Sequence, residues 1–173
     1  MGQSVQDTGV DNKPESMWQK FTGAIAPDLS DIRNDETGGI QNVTKLAREK
    51  SSVAFFLNIG YTEKQAIGIT AGLSFVSGMR TGITPQSKGI GAFSDRRYDD
   101  LLKYSNSGSL FLTQLSFVAY ELNGTQSSAN IRLLQSDKLD NNGICQIFAK
   151  YYLQRPNAVK NIELQARRLT DRI

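Results

Sequence analysis

Gly60-Tyr61-Thr62-Glu63-Lys64-Gln65-Ala66-Ile67-Gly68-Ile69-Thr70-Ala71-Gly72-Leu73-Ser74-Phe75-Val76-Ser77-Gly78 is the stretch on which the fold turns. Thr62 stands three residues before Gln65. At that spacing each side chain satisfies an orphan backbone amide of the other, so a helix opens here. Ala66, Ile69 and Leu73 recur at helical intervals. Gly78 supplies a residue free to take the left-handed conformation that ends a helix. Glu63 in the first turn suits the positive end of the helix dipole.

Upstream, Ile40, Val43, Ala47, Lys50, Ala54 and Leu57 mark one face of a longer helix, closed by Asn58-Ile59-Gly60. Met17, Trp18, Phe21 and Ile25 suggest a short helix that Pro27 stops, behind a polar arm over residues 1–15. Downstream, five glycine and proline positions in residues 78–94 predict a loop or a small irregular hairpin. Short amphipathic helices are expected over residues 96–104, 110–122 (capped near Ser109) and 129–135. Another carries Ile144, Ile147, Phe148 and Tyr151 and ends at Arg155-Pro156. The last helix has Val159, Ile162, Ala166, Leu169 and Ile173 at steps of three and four, an apolar seam flanked by Arg167, Arg168 and Arg172. The expected fold class is mainly α.

Composition narrows the chemistry. At 173 residues and 39% hydrophobic, the chain can bury a core without covalent staples. It has no histidine, which removes the commonest general base, the usual catalytic triads and most zinc sites. Its one cysteine, Cys145, lies between Ile144 and Ile147 and reads as a core thiol. No cofactor and no metal are expected. The net charge of +3 is small, and only the tail from Arg155 is distinctly basic, too little for a nucleic-acid surface. No apolar run reaches the length of a membrane span. Met1-Gly2-Gln3-Ser4 lacks the basic start and apolar stretch of a secretory signal, and Gln6 stands where an acylation signal wants Ser or Thr.

Several segments, read in order, resemble the phage tail lysozyme family, whose layout is related to lytic transglycosylases. Ala54-Phe55-Phe56-Leu57 with Gly60-Tyr61-Thr62 is similar to its lead-in, and Gln65-Ala66-Ile67-Gly68-Ile69 to its Q-A-A-G-I. Ser77-Gly78 falls where the family writes E-S-G, and Gly89-Ile90 where it begins G-L-A-Q-W. Arg96 with Leu101-Leu102, Gln114-Leu115 with Glu121-Leu122, and Phe148-Ala149-Lys150-Tyr151-Tyr152 with Arg155-Pro156 resemble the remaining segments. The resemblance implies a lysozyme-like helical domain over residues 51–156. Residues 1–50 would be an N-terminal arm and helical extension, and residues 157–173 a C-terminal amphipathic helix packing on the domain or on a partner.

The departures shape the functional expectation. In such enzymes a glutamate before Ser-Gly protonates the glycosidic oxygen, and it needs a raised pKa. Val76 occupies that position. Gly72 stands where the family has Asn, Ala92 where it has Gln, and Phe93 where it has Trp. The resemblance with these losses implies a catalytically inactive structural protein of a bacteriophage particle (tail, baseplate or internal component), made in the host cytoplasm and carried in the virion. Its other virion partners would meet Trp18, Phe21, Ile25 and the 157–173 helix. Weak peptidoglycan contact through Ser77, Phe93, Arg96 and Arg97 is allowed for, and an oligomer is left open. Two alternatives stand beside it. One is an active peptidoglycan glycosidase with a relocated acid, Glu121, which otherwise pairs with an arginine such as Arg96. The other is a helical adaptor or secreted effector unrelated to the cell wall.

Overall fold

The computed structural model describes residues 41–84, 87–104 and 111–173. They are mainly helical. In chain order they form α1 (Gln41–Asn58), α2 (Glu63–Ser77), α3 (Asp95–Tyr104), α4 (Phe111–Asn123), α5 (Ser127–Leu134) and α6 (Asn141–Ile147). A π-helical turn (Phe148–Tyr152), a 3-10 turn (Pro156–Ala158) and α7 (Val159–Thr170) follow. Trp18, Phe21, Ile25, Ile40 and the Ser109 cap lie outside the described residues.

α2 is the axis of the fold. Every residue from Gln65 to Ser74 is buried, and α1, α6 and α7 pack around it. A helix enclosed on all sides needs small residues where neighbours come closest. A Cβ added at Gly68 would lie 2.6 Å from Ile144 Cγ2 of α6, and one at Gly72 would run into the Phe148 ring, 2.6 Å from its Cε1 and closer still to its Cδ1. The expected caps are present. Gln65 N donates to Thr62 Oγ1 at 3.4 Å and Thr62 N to Gln65 Oε1 at 2.9 Å. Gly78 ends the helix at φ 61°, its N–H bonded to the Ser74 carbonyl at 2.8 Å. Gln65 does a second job: its Nε2 donates to the Leu133 carbonyl at 2.6 Å, tying the start of α2 to the end of α5.

α1 buries a different face from the one its alanines suggest. Arg48, Glu49, Ser52, Val53 and Phe56 are buried, while Lys50 and Leu57 are exposed. Polar groups go inside only where partners wait. Ser52 and Thr70 share a hydrogen bond of 2.8 Å. Glu49 accepts from the Ser74 hydroxyl and, at 2.9 Å, from Gln165 Nε2 on α7. α1 runs unbroken through residue 50, and Glu49 is bonded to α2 and α7 just before it.

Between α2 and α3 the chain loops, and among the described residues Ile83 and Lys88 form an antiparallel bridge. Gln114 of α4, fully buried, holds this loop. Its Nε2 donates to the Thr81 carbonyl at 2.8 Å and its Oε1 accepts from Ile90 N at 2.8 Å. The seam of α7 faces inward at Ile162, Ala166 and Leu169, against α2 and α6, and ends before Ile173, which is exposed. No helix among the described residues is long and apolar enough to cross a membrane.

Candidate functional site

The residues singled out in the sequence fall into an apolar group at the end of α2 and a polar group between α3, α4 and the π turn. Gly72 belongs to the first. Phe148, fully buried, lies against it, with Leu153 Cδ1 3.2 Å from where a Gly72 Cβ would be. An asparagine side chain has no room there. Val76, one turn on, is half-buried and packs against the core. The Ser77 hydroxyl donates to the Leu73 carbonyl at 2.9 Å and accepts from Met79 N at 3.0 Å, so it finishes the helix end. Ala92 takes a left-handed backbone, φ 46°, in the loop before α3.

Glu121 anchors the polar group. It is on the inner face of α4, its side chain 3% exposed. Arg97 of α3 meets it with two parallel hydrogen bonds, Nε to Oε1 at 2.7 Å and Nη2 to Oε2 at 2.8 Å. The Tyr152 hydroxyl donates to Oε2 at 2.6 Å, and Arg97 Nη1 reaches the Tyr152 carbonyl at 3.4 Å. This forked, charge-assisted geometry is the strongest kind of side-chain hydrogen bonding. Burial opposes the charge on Arg97, but Glu121 and Tyr152 outweigh it and hold the guanidinium's pKa above its ordinary value. Burial, then the charge of Glu121, pushes the Tyr152 phenol well above its usual value, with Arg97 pulling the other way.

Aromatic rings join the two groups. Phe148 stacks on Tyr152 with centroids 4.6 Å apart. Arg97 Cζ lies 4.6 Å from the Tyr152 ring and 5.3 Å from the Phe93 ring. Phe93, fully buried, meets Phe117 edge-on at 5.2 Å. A continuous stack thus runs from Gly72 through Phe148, Tyr152 and Arg97 to Phe93.

The partner of Glu121 is Arg97, not Arg96. Arg96 has its side chain 89% exposed and sits 3.7 Å from Asp100. Of the four candidate contact residues, Phe93 and Arg97 are drawn into the stack, Ser77 is bonded within its own chain segment, and Arg96 stands in solvent. Sequence reasoning missed Tyr152 and Gln114 as structural polar residues. A signal existed for Arg97: Leu101 and Tyr104 follow it by four and seven residues, the spacing of one helix face. Among the described residues no three His, Cys, Asp or Glu side chains gather into a metal-binding set. No family model, no curated protein and no solved structure matches the chain.

Proposed function

We propose that the chain is a catalytically inactive, lysozyme-like structural protein of a bacteriophage particle. The observation that carries this reading is the state of Glu121. It is the best candidate for a relocated acid. A general acid must hold a proton and face its substrate. Glu121 accepts two hydrogen bonds from Arg97 and one from Tyr152, and almost none of its side chain is exposed. At the position where the resemblance implies a glutamate, Val76 offers no proton at all. What remains is a helical framework suited to packing against neighbours.

Two measurements test it. Purified protein in a gel loaded with peptidoglycan should leave no zone of clearing, and clearing at ordinary enzyme concentrations overturns the inactive reading. Mass spectrometry of purified phage particles from cells carrying the gene should find the chain at a fixed ratio to other virion proteins. Its absence there overturns the virion assignment. Val76→Glu alone should leave clearing at background, because Gly72 and Ala92 supply no polar support for a new acid.

A second reading, a helical adaptor or effector with no link to cell walls, is favoured by Gly72. Its flank is filled by Phe148 and Leu153, so no substrate cleft exists at that point. The particle measurement separates the two.

A further inference from the structure

On the outer side of the C-terminal half, the end of α5, α6 and the π turn enclose a groove of about 400 Å³. That is large enough to hold side chains of a bound segment. Tyr151 lines it. Arg132 Cζ lies 4.1 Å from the Tyr151 ring centroid, and Lys150 Nζ lies 5.3 Å from the same ring. Leu139 and Ile147 give the groove apolar surface. Ile131 (55% exposed) and Leu134 (54% exposed) extend that surface round the outer face of α5.

The charges are unbalanced. Among the described residues neither Arg132 nor Lys150 is within ion-pair distance of a carboxylate. The nearest acids in sequence serve the chain itself. Asp140 caps α6, accepting from Gly143 N at 2.9 Å, and Asp137 Oδ1 lies 3.5 Å from Gln65 Nε2. Two cations with no carboxylate partner among the described residues, over an aromatic ring and beside exposed aliphatics, complement a ligand with both carboxylates and apolar side chains.

We propose that this groove docks an acidic, aliphatic-rich peptide segment of a partner protein. Its carboxylates meet Arg132 and Lys150, and its apolar side chains lie on Leu139, Ile147 and the flank of α5. A peptide fits better than a glycan or a nucleic acid. Sugars and bases bind by stacking on a free aromatic face, and Arg132 already lies over one face of Tyr151. Exposed leucine and isoleucine beside the groove add surface that an apolar side chain uses and a sugar does not. The site stands apart from the inactive-lysozyme reading and holds whether or not the chain cleaves glycans.

The test uses the full chain and a fluorescein-labelled peptide of repeated Glu-Leu-Gly-Ser, followed by fluorescence anisotropy at low salt. Analogues carry Gln or Lys in place of Glu. The Glu peptide should bind about tenfold more tightly than the Gln peptide, and added salt should weaken it, as expected for two partly exposed charge pairs. The double variant Arg132→Glu with Lys150→Glu should reverse the preference, losing the Glu peptide and gaining the Lys peptide. Both residues are exposed, and an unchanged thermal melt shows that the variant is folded. Equal binding of the Glu and Gln peptides, no detectable binding of the Glu peptide, or no reversal in the double variant overturns the proposal. So does binding of peptidoglycan fragments or phosphatidylglycerol vesicles that depends on Arg132 and Lys150 when the peptide does not bind.

Discussion

At Gly72 the interior is closed by contact alone. Phe148 and Leu153 press on a backbone with no side chain, and dispersion and the hydrophobic effect do the rest. At Glu121 the interior is closed by pairing, with a buried carboxylate accepting two hydrogen bonds from Arg97 and one from Tyr152. The first kind of closure degrades gradually as shapes change. The second fails at once, because removing one member leaves a charge or a donor buried without a partner. A catalytic acid needs a middle state, partly desolvated and unsatisfied, and neither region supplies it.

Arg97→Ala probes the difference most severely. It should cost about 3–5 kcal/mol in urea unfolding, the usual result of stranding a buried charge. The triple change Arg97→Met, Glu121→Leu and Tyr152→Phe should recover most of that loss, since an apolar cluster has nothing to strand. If Arg97→Ala costs under about 1 kcal/mol, the pair behaves as a surface pair and the contrast collapses.

Gly72→Ala tests the apolar side. The added Cβ meets a ring that is fully buried and stacked on Tyr152, so it cannot swing away cheaply. Overpacking of about 1–3 kcal/mol, offset by about 1 kcal/mol of helix propensity, leaves a net loss of about 0–2 kcal/mol. Adding Phe148→Leu should return part of it. A stabilised Gly72→Ala would mean open space beside α2.

Much of this was readable in advance, and the parts that were not share a cause. Thr62, Gln65 and Gly78 act through bonds to residues a few positions away, so the ends of α2 follow from local chemistry. The buried face of α1 does not. Glu49 and Ser52 face inward only because Ser74, Gln165 and Thr70 meet them from other helices. Glu121 does pair with an arginine, and the example Arg96 misses it by one residue, which on a helix is a rotation of about 100°. The end of the helix after Ile144 was expected near Arg155, and its change of winding at Phe148 leaves no mark in residue type.

Alkaline pH separates the two regions by chemistry. Burial pushes the Cys145 thiol from 9.0 up to about 12, with Glu163 and Asp140 adding to the shift. Burial likewise raises Tyr61 and Tyr104 from 10.0 to about 12, and Tyr152 well above 10.0. These groups stay protonated in the fold while the unfolded chain ionises, so the unfolded state binds fewer protons and stability falls as pH rises. The stability these groups confer is whole below pH 9.0, starts to go with Cys145 and falls faster above 10.0, where the tyrosines join. Tyr152→Phe should cost about 1.5 kcal/mol at neutral pH through the lost hydrogen bond to a carboxylate. Above pH 10.0 its stability should fall less steeply than that of the parent chain. An identical slope in urea unfolding across that range removes Tyr152 from the polar lock.

The smallest effect is expected next door to the largest. Arg96→Ala should change stability by less than about 0.5 kcal/mol, because its side chain lies in solvent with a long contact to Asp100. A loss comparable to that of Arg97→Ala would show that α3 as a whole, and not one guanidinium, carries the polar region.

The π-helical turn makes chain length itself a structural variable. Leu153 N bonds to the Phe148 carbonyl, five residues back, at 2.9 Å, so the turn holds one residue more than an α-helix would. One residue gained or lost in a helix re-aims everything after it by about 100°. In its present phase this segment lays Phe148 on Gly72, aims Tyr152 at Glu121 and leaves Tyr151 on the outer groove. A deletion inside residues 148–152 would shift inner lock and outer groove together. The two surfaces are therefore indexed to one another by a residue count, and an insertion or deletion there is as consequential as losing Arg97.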